Sequence, residues 1–390
     1  MAEISFAAGR RAKKPLALAL AGLAALLLGI GLSRFAFTPL IPALIGAGWF
    51  STSQAGYLGA TNLAGYLIGA ALARRLAEHL PPMGLVKISM LIGMASFAAC
   101  ALDWGFAWYA AWRLASGVIG GVLMILAPAA VLAATPPERR GRIGGIVFTG
   151  VGAGIALSGG VIPSLVGFGL PAAWLALAGV AAVLTLCAWP VWPDSKPLRH
   201  EAAPREPLRI TLPLALLIVS YTLGGLAFAP HTVFWANYIA RGLGLGLHAG
   251  GLFWLLLGLG AASGPLLTGF VAERLGFARS YALTLLLFGL SIGVPVVSAS
   301  QAALALSSFG TGAFGIAVTA LGSGRAGELA PMHHYRQLWG WMTIGFAVVY
   351  ALGGYGYTYL LAQTGSYPLV FGLGAAAALL GCLCAAVKAR

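Results

Sequence analysis

Long apolar runs recur along the whole chain and limit what it can fold into. Each run is about 20 residues long or longer, the length that an α-helix needs to cross a hydrocarbon core of roughly 30 Å. Of the 390 residues, 60% are hydrophobic and only 8% are charged, whereas soluble domains carry about 25% charged residues. The runs lack the regular alternation of outer-membrane barrel strands. The sequence therefore predicts an all-α polytopic membrane protein.

Twelve transmembrane helices are predicted, in two groups of six. The first group covers 16–47, 51–74, 84–102, 105–134, 142–166 and 171–192, and the second covers 211–240, 248–272, 279–299, 301–326, 337–361 and 367–387. A hydrophilic stretch with four prolines lies between them. We therefore expect an N-terminal tail (1–15), a six-helix bundle (16–192), a linker (193–210), a second six-helix bundle (211–387) and a C-terminal tail (388–390).

The distribution of basic residues predicts the orientation of these helices. With both termini in the cytoplasm, every lysine and arginine except Arg34, Arg113 and Arg241 falls in a segment on the cytoplasmic side. Cytoplasmic loops of membrane proteins carry such an excess of Lys and Arg. The basic residues that give the formal charge of +14 then lie along the side of the protein that faces the anionic cytoplasmic leaflet. They are not expected to form a nucleic-acid-binding surface. We expect a multi-pass protein of a bacterial inner membrane, in contact with the lipid bilayer.

The first apolar run contains Arg34 among residues that loosen a helix. Gly29, Gly31, Pro39 and Pro42 lie on either side of it. An arginine at membrane depth costs about 2.5–3.5 kcal/mol on insertion scales, so it must face protein or a water-filled cavity. Backbone groups released from a helix are tolerated there only when they are buried in protein or line a cavity. The stretch is therefore predicted to line a polar pathway through the membrane.

A short repeat relates the two halves of the chain. Gly65, followed after seven residues by Ala73-Arg74-Arg75-Leu76, matches Gly264, followed after seven residues by Ala272-Glu273-Arg274-Leu275. Both copies lie at the cytoplasmic end of the second predicted helix of their half. Two parallel six-helix repeats are typical of alternating-access transporters.

The second copy of this repeat also resembles a known signature. Gly269, Glu273, Arg274, Gly276 and Arg279 occupy the fixed positions of G-x-x-x-D/E-R-x-G-x-x-R, a loop motif of the major facilitator superfamily. The resemblance implies a twelve-helix fold in two pseudo-symmetric bundles, with these charges forming a latch that holds one gate. The residues assigned to the gate are Arg74, Arg75, Glu273, Arg274 and Arg279; Arg74 stands where the family usually has an acid.

Two further motifs carry the same resemblance. Arg113, Gly117 and Gly121 match the superfamily pattern R-x-x-x-G-x-x-x-G, which implies an arginine that faces the central cavity and takes part in proton coupling. The glycines of 150–160 are similar to an exporter motif but depart from it at Ile155 and Ser158, and glycines four apart also permit close helix packing. The stretch 29–66 resembles the YbfB/YjiJ branch of the superfamily more specifically.

The charges within the predicted spans favour an anionic solute. Arg34 and Arg113 lie inside spans, whereas no Asp or Glu falls in the middle of any predicted helix. Arginine recognises carboxylates and phosphates through bidentate hydrogen bonds. The alternative, that both arginines are structural, stays open. The predicted substrate-binding residues are Arg34, Phe37, Asn62, Tyr66, Arg113, His231, Trp235, Asn237, Trp341 and Tyr350.

Proton coupling is assigned to two of these residues, Arg113 and His231. Histidine titrates near neutral pH, and Pro230 beside it matches Pro39 of the first half. A histidine bonded to a neighbouring helix is the alternative. For the aromatic candidates the alternative is a packing role or a place in the interfacial belt.

These observations predict a secondary transporter that moves a small organic anion by alternating access and couples this movement to protons. The alternative is a proton-coupled exporter of hydrophobic or toxic compounds. No G-x-x-x-x-G-K-S/T loop occurs in the sequence, so ATP is not expected to drive the protein directly. No enzyme activity, metal, cofactor or nucleic-acid partner is expected, and the protein is expected to be a monomer.

Overall fold

A computed structural model describes residues 15–136, 140–197, 208–330 and 332–387. Most of the predicted N-terminal tail, the centre of the predicted linker and the predicted C-terminal tail lie outside these ranges. The described helices are α1 (Pro15–Leu26), α2 (Phe37–Gly46), α3 (Thr52–His79), α4 (Pro82–Ala99), α5 (Gly105–Ala133), α6 (Arg140–Val166), α7 (Leu170–Ala188), α8 (Leu212–Asn237), α9 (Gly246–Leu275), α10 (Phe277–Val297), α11 (Gln301–Leu329), α12 (Met332–Thr364) and α13 (Tyr367–Ala386). No β-strand occurs in these ranges, so the all-α prediction is confirmed.

The helices follow the predicted spans closely. A π-helical segment, Leu27–Leu32, and a turn at 33–36 connect α1 to α2, so these two helices form one interrupted span. Eleven described helical segments are long and apolar enough to cross a membrane. The remaining long helix, α3, has 28 residues but is less apolar, since it carries Arg74, Arg75 and Glu78 in its last turns and Asn62 in its centre.

The chain divides into two compact units, Met1–Ala202 (unit 1) and Ala203–Arg390 (unit 2). In unit 1, α3 packs along α5, α4 packs on α5 and α7, and α1 packs on α6. In unit 2, α9 packs along α11, α10 packs on α11 and α13, and α8 packs on α12. When α1 and α2 are counted as one interrupted span, the six spans of each unit therefore pair in the same pattern.

Glycines let the α3–α5 and α9–α11 pairs approach closely. A Cβ atom added to Gly65 would collide with the carbonyl oxygen of Leu114, and one added to Gly264 would collide with the carbonyl oxygen of Ala313. Small residues at such crossings allow two helix backbones to come into van der Waals contact. The repeated glycine thus has the same packing role in both units.

Candidate functional site

The interruption of the first span positions the candidate site of unit 1. Gly29 and Gly31 permit close packing here, since a Cβ atom on Gly29 would lie 2.6 Å from the Leu123 side chain and one on Gly31 would lie 2.8 Å from the Cα atom of Gly154. Pro39 and Pro42 have no N–H to donate to the preceding turn. The backbone widens into a π-helix at Leu27–Leu32 and turns at 33–36, and the carbonyl of Ser33 in this turn accepts a hydrogen bond from a side chain of another helix.

Arg113 of α5 binds that carbonyl. Its Nη1 atom donates to the Ser33 carbonyl oxygen at 2.7 Å, and its guanidinium carbon lies 4.2 Å from the centroid of the Phe37 ring, a cation–π distance. Arg113 is only 3% exposed. The side chain therefore connects α5 to the interruption between α1 and α2.

Asn62 of α3 completes this cluster. Its Nδ2 atom donates to the Ser116 hydroxyl oxygen at 2.9 Å and to the Arg113 carbonyl oxygen at 3.1 Å, and it lies 3.5 Å from the Ser33 carbonyl oxygen. The Ser116 hydroxyl donates to the Arg113 carbonyl at 2.9 Å. We call Ser33, Asn62, Arg113 and Ser116 the unit 1 polar cluster. It connects three helical segments through buried hydrogen bonds.

The glycines of the Arg113 motif hold α3 against this cluster. A Cβ atom on Gly117 would collide with the carbonyl oxygen of Asn62, and one on Gly121 would lie 2.5 Å from the carbonyl oxygen of Tyr66. The pattern that suggested a functional arginine therefore also brings Asn62 and Tyr66 close to it.

Arg34 differs from Arg113 in exposure and surroundings. It is partly exposed, and its guanidinium carbon lies 4.9 Å from the centroid of the Phe35 ring and 5.3 Å from that of Tyr66. Tyr66 is also partly exposed. The structure thus brings together Arg34, Phe37, Asn62, Tyr66 and Arg113, which are the predicted site residues of unit 1.

Carboxylates are remote from the middle of the spans in the described chain. They lie in the last turns of helices (Glu78, Glu273 and Glu328) or outside helices (Asp103 and Asp194). The described ion pairs, Arg74 with Glu78 at 3.6 Å and Arg325 with Glu328 at 2.7 Å, are likewise at helix ends. Arg34 and Arg113 therefore lie in a part of unit 1 that is formally positive.

The predicted residues of unit 2 form a second cluster around His231 of α8. The Nε2 atom of His231 lies 2.9 Å from the Ser307 hydroxyl oxygen, and that hydroxyl donates to the Ser291 carbonyl at 2.7 Å. Because the Ser307 proton is used on Ser291, Nε2 of His231 must be the donor in the first bond. Nδ1 has no hydrogen-bond partner among the described residues. The bond connects α8 to α11, and through Ser291 to α10.

Aromatic rings enclose this histidine. Trp235 stacks on it at 4.3 Å between ring centroids, and Phe371 of α13 lies at 4.9 Å. The Trp235 Nε1 atom donates to the Ser308 hydroxyl oxygen at 2.9 Å. His231 and Trp235 have no exposed surface. These contacts agree with the alternative interpretation of His231, a histidine that is bonded to a neighbouring helix.

Two other predicted residues of unit 2 form hydrogen bonds next to this cluster. Tyr350 donates to the Thr232 hydroxyl oxygen at 2.7 Å, and the Asn237 Nδ2 atom donates to the Tyr367 hydroxyl oxygen at 2.6 Å. Trp341 takes no part, since it is 38% exposed and has no ring contact or hydrogen bond within the described ranges. Among the predicted site residues, Trp341 is therefore the one with no hydrogen bond or ring contact in the described part of the chain.

The predicted gate residues lie at helix ends on the surface. Arg74 and Arg75 are exposed in the last turns of α3, and Glu273, Arg274 and Arg279 are exposed around the junction of α9 and α10. Arg74 pairs with Glu78 of its own helix.

Sequence reasoning missed the serines that complete both clusters. They are Ser33, Ser116, Ser291, Ser307 and Ser308, each at most 6% exposed. A hydroxyl inside an apolar run is a weak signal, because a serine in a helix also bonds to the carbonyl of its own preceding turn. Phe371 and Tyr367 were missed for a related reason, since aromatic residues are common in every span. Among the described residues, no group of three His, Cys, Asp or Glu side chains is arranged to hold a metal ion.

Comparisons with known proteins agree on the class. The sequence profile of a family described as "Uncharacterised MFS-type transporter YbfB" matches residues 26–386. The uncharacterized MFS-type transporter YceJ of Bacillus subtilis (strain 168) is 25% identical over 269 residues, which is 67% of this chain and 68% of that protein.

Solved transporter structures share the fold at low sequence identity. The nucleoside transporter NupG, solved in a mutant form, superposes with a TM-score of 0.76 at 13% identity, covering 95% of this chain and 98% of that chain. A bacterial homolog of the human lysosomal transporter Spinster, in its inward-facing and occupied conformation, superposes with a TM-score of 0.72 at 15% identity, covering 96% of each chain.

Proposed function

Since this chain belongs to the major facilitator superfamily, in the family of the uncharacterised MFS-type transporter YbfB, we propose that it is a secondary active transporter of a small organic anion. It moves this solute across the bacterial inner membrane by alternating access, as a monomer with both termini in the cytoplasm. Alternating access exposes a binding site near the midplane of the bilayer first to one side of the membrane and then to the other.

The observation that carries this proposal is the position of Arg34. It lies at the interruption of the first span, is partly exposed, and belongs to an interior from which the described carboxylates are remote. An arginine at membrane depth is costly, and such residues mark substrate or ion pathways. An incoming anion supplies the opposite charge that this interior lacks, and the guanidinium offers it paired N–H donors.

Arg113 acts on the substrate through Arg34 rather than by contact. It is enclosed and donates to the carbonyl of Ser33, the residue that precedes Arg34. A group that fixes the backbone on one side of Arg34 also fixes the point from which the Arg34 side chain starts. Arg113, Asn62 and Ser116 are therefore positioning residues in this proposal.

Proton coupling stays assigned to Arg113 and His231, and the contacts of His231 indicate which of its atoms would take part. Its Nε2–H is held by Ser307, which leaves Nδ1 as the atom that can accept a proton. The other titratable side chains near it in the described part of unit 2 are tyrosines: Tyr350, which bonds to Thr232, and Tyr238 and Tyr367, which lie beyond Trp235 and Phe371. The stacked Trp235 ring would stabilise the protonated imidazole through its face.

The gate assignment is kept in this proposal. The exposed charges Arg74, Arg75, Glu273, Arg274 and Arg279 lie at corresponding helix ends of the two units, where the family signature predicts a cytoplasmic latch. In this proposal, the charged side chains of the latch exchange ion-pair partners when the transporter changes conformation.

The alternative function, export of hydrophobic compounds, has weaker support. It rested on the glycines of α6, and two of these have a packing explanation. A Cβ atom on Gly150 would lie 3.0 Å from the Leu27 amide nitrogen, and one on Gly154 would lie 2.5 Å from the Cα atom of Gly31. These glycines let α6 pack against the first span whatever the solute is.

Transport currents test the anion proposal. The purified protein is reconstituted into liposomes and challenged with organic anions, cations and neutral solutes on a solid-supported membrane. Arg34→Lys should lose most of the transport of the active anion, because an ammonium cannot form the bidentate contact. Arg241→Gln, which removes an exposed arginine of unit 2, is the matched control and should transport normally. Full activity of Arg34→Lys would show that Arg34 does not bind the solute.

The pH dependence of the same currents tests the coupling residue. His231→Gln can still donate a hydrogen bond to Ser307 but does not titrate. It should therefore flatten the pH profile of transport while the protein stays folded. An unaltered pH profile in this variant would remove His231 from the coupling mechanism.

A further inference from the structure

Three tryptophans form a column along one face of α5. Trp104, Trp108 and Trp112 are four residues apart, so their side chains are neighbours on the helix surface. The ring centroids of Trp104 and Trp108 are 4.6 Å apart, and those of Trp108 and Trp112 are 5.7 Å apart. The Trp108 Nε1 atom donates to the Ala99 carbonyl oxygen at 2.8 Å, which fixes the middle ring. We call these three residues the tryptophan column; all three are at least partly exposed.

A single carboxylate lies at the exposed end of the tryptophan column. Asp103 directly precedes Trp104, and both are exposed, Trp104 to 64%. Three loops connect helices at this end of unit 1, which is opposite to the predicted gate: 47–51, 100–104 and 167–169. Asp103 is their only charged residue, and it forms no ion pair or hydrogen bond within the described ranges. The dipole of α5 stabilises this carboxylate, but no cation of these loops neutralises it.

This combination selects the charge of what lies against it in the membrane. Tryptophans at a membrane surface form belts that need no particular headgroup, so the rings alone do not distinguish one lipid from another. A cation is attracted to the face of an indole ring, and an ammonium group donates hydrogen bonds to a carboxylate. An anionic headgroup meets the negative charge of Asp103 instead. The surface is therefore complementary to the ammonium group of a phospholipid.

We propose that Asp103 and the tryptophan column bind an aminophospholipid, with the primary ammonium of a phosphatidylethanolamine headgroup between the carboxylate and the Trp104 ring. The bound lipid holds this end of α5, the helix that carries Arg113, at the headgroup region of the membrane. The proposal concerns a lipid site on the surface of unit 1, and it does not depend on which solute is transported.

Native mass spectrometry of the purified full chain tests the site by lipid titration in detergent. Phosphatidylethanolamine and phosphatidylglycerol with the same acyl chains are the probes. Because basic residues elsewhere attract anionic lipids, the measured quantity is the change in each apparent Kd that a substitution causes. Asp103→Asn should weaken phosphatidylethanolamine binding about fivefold, and Trp104→Leu should weaken it about threefold. Asp103→Lys should weaken phosphatidylethanolamine and strengthen phosphatidylglycerol.

The matched control is Asp194→Asn, which removes another exposed carboxylate outside the helices of unit 1. It should bind both lipids as the wild-type protein does. If Asp103→Asn binds phosphatidylethanolamine as tightly as Asp194→Asn does, the tryptophans are ordinary belt residues and the proposal is overturned. Unchanged binding in Trp104→Leu would overturn it as well. Both positions are exposed, so these variants should fold, and since no transport is measured, the result leaves the proposed anion transport untouched.

Discussion

The first helices of the two units contain the same proline in similar sequence, yet their backbones differ. Phe37-Thr-Pro39 in unit 1 corresponds to Phe228-Ala-Pro230 in unit 2. In unit 1 the helix is interrupted before the proline, and the Ser33 carbonyl is bound by an arginine of another helix. In unit 2, α8 continues through the proline. There the Thr232 hydroxyl lies within hydrogen-bond distance of the Phe228 and Ala229 carbonyls, at 3.0 and 3.2 Å.

This difference shows that a proline alone does not decide whether a membrane helix breaks. A proline removes one donor from the helix but does not by itself break it. In α8 the helix continues through Pro230, and the Thr232 hydroxyl bonds to carbonyls of its own preceding turn. In unit 1, the charged donor Arg113 on α5 stabilises a carbonyl that has turned out of the helix.

The two units also differ in charge. Unit 1 places two guanidiniums around its interruption, whereas the cluster of unit 2 consists of serines, aromatic rings and one histidine with no exposed surface. We therefore assign solute binding to unit 1 and a packing and proton-accepting role to the His231 cluster. The following predictions test this division of roles.

The largest expected effect is common to both units. Gly65→Ala and Gly264→Ala each place a methyl group against a backbone carbonyl. Backbone cannot move aside as a side chain can, so the cost should reach or exceed the roughly 1–3 kcal/mol of ordinary overpacking. Both variants should lose folded protein, measured by fluorescence-detected size-exclusion chromatography.

The matched control for that pair is Gly269→Ala, on the same helix as Gly264. A Cβ atom at Gly269 meets nothing within 4 Å, so this variant should behave like the wild-type protein. If Gly264→Ala lowers the amount of folded protein and Gly65→Ala does not, the two helix crossings are not equivalent.

The next effect separates the two arginines. Arg113→Met leaves the Ser33 carbonyl without its charged donor and should lower the free energy of unfolding by about 3 kcal/mol. Arg34→Met removes the contacts of a partly exposed guanidinium with the Phe35 and Tyr66 rings, and it should lower the free energy of unfolding less than Arg113→Met does. Both should lose transport. Thermal unfolding measured beside transport currents distinguishes them, and equal destabilisation by the two substitutions would remove the distinction between positioning and binding.

A smaller loss is expected in unit 2. Ser307→Ala leaves the Nε2–H of His231 and the Ser291 carbonyl without this partner, at a cost of about 2 kcal/mol in the free energy of unfolding. Ser263→Ala, whose hydroxyl bonds only to carbonyls of its own helix, should cost close to nothing. If thermal unfolding of Ser307→Ala matches that of Ser263→Ala, the serine–histidine pair does not hold α8 to α11.

The smallest effects compare two tryptophans. Trp235→Phe loses the hydrogen bond to Ser308 and should cost about 1 kcal/mol. Trp341→Phe changes a residue that is 38% exposed. It should change the free energy of unfolding by no more than about 0.5 kcal/mol and leave transport unchanged. A loss of transport in Trp341→Phe with normal Tm would show that Trp341 takes part in solute binding after all.

Many of the polar contacts in unit 1 were predictable because the residues that make them are unusual where they occur. Arg34, Arg113 and Asn62 are polar groups inside apolar runs, and such groups need partners wherever the helices meet. Glycines spaced four apart predicted close crossings, and the structure contains them. The serines and Phe371 were not predictable, since hydroxyl and aromatic residues occur throughout the spans and few of them belong to a cluster.

The sequence by itself determined the helical class and the approximate spans of this protein, because hydropathy and helix length are local properties of the chain. Only the tertiary structure decided what the polar residues bind. Arg113 and the Ser33 carbonyl are 80 residues apart, and His231 and Ser307 are 76 apart. Contacts over such separations depend on which helix faces meet, and that is decided by packing between helices rather than by any single run of residues.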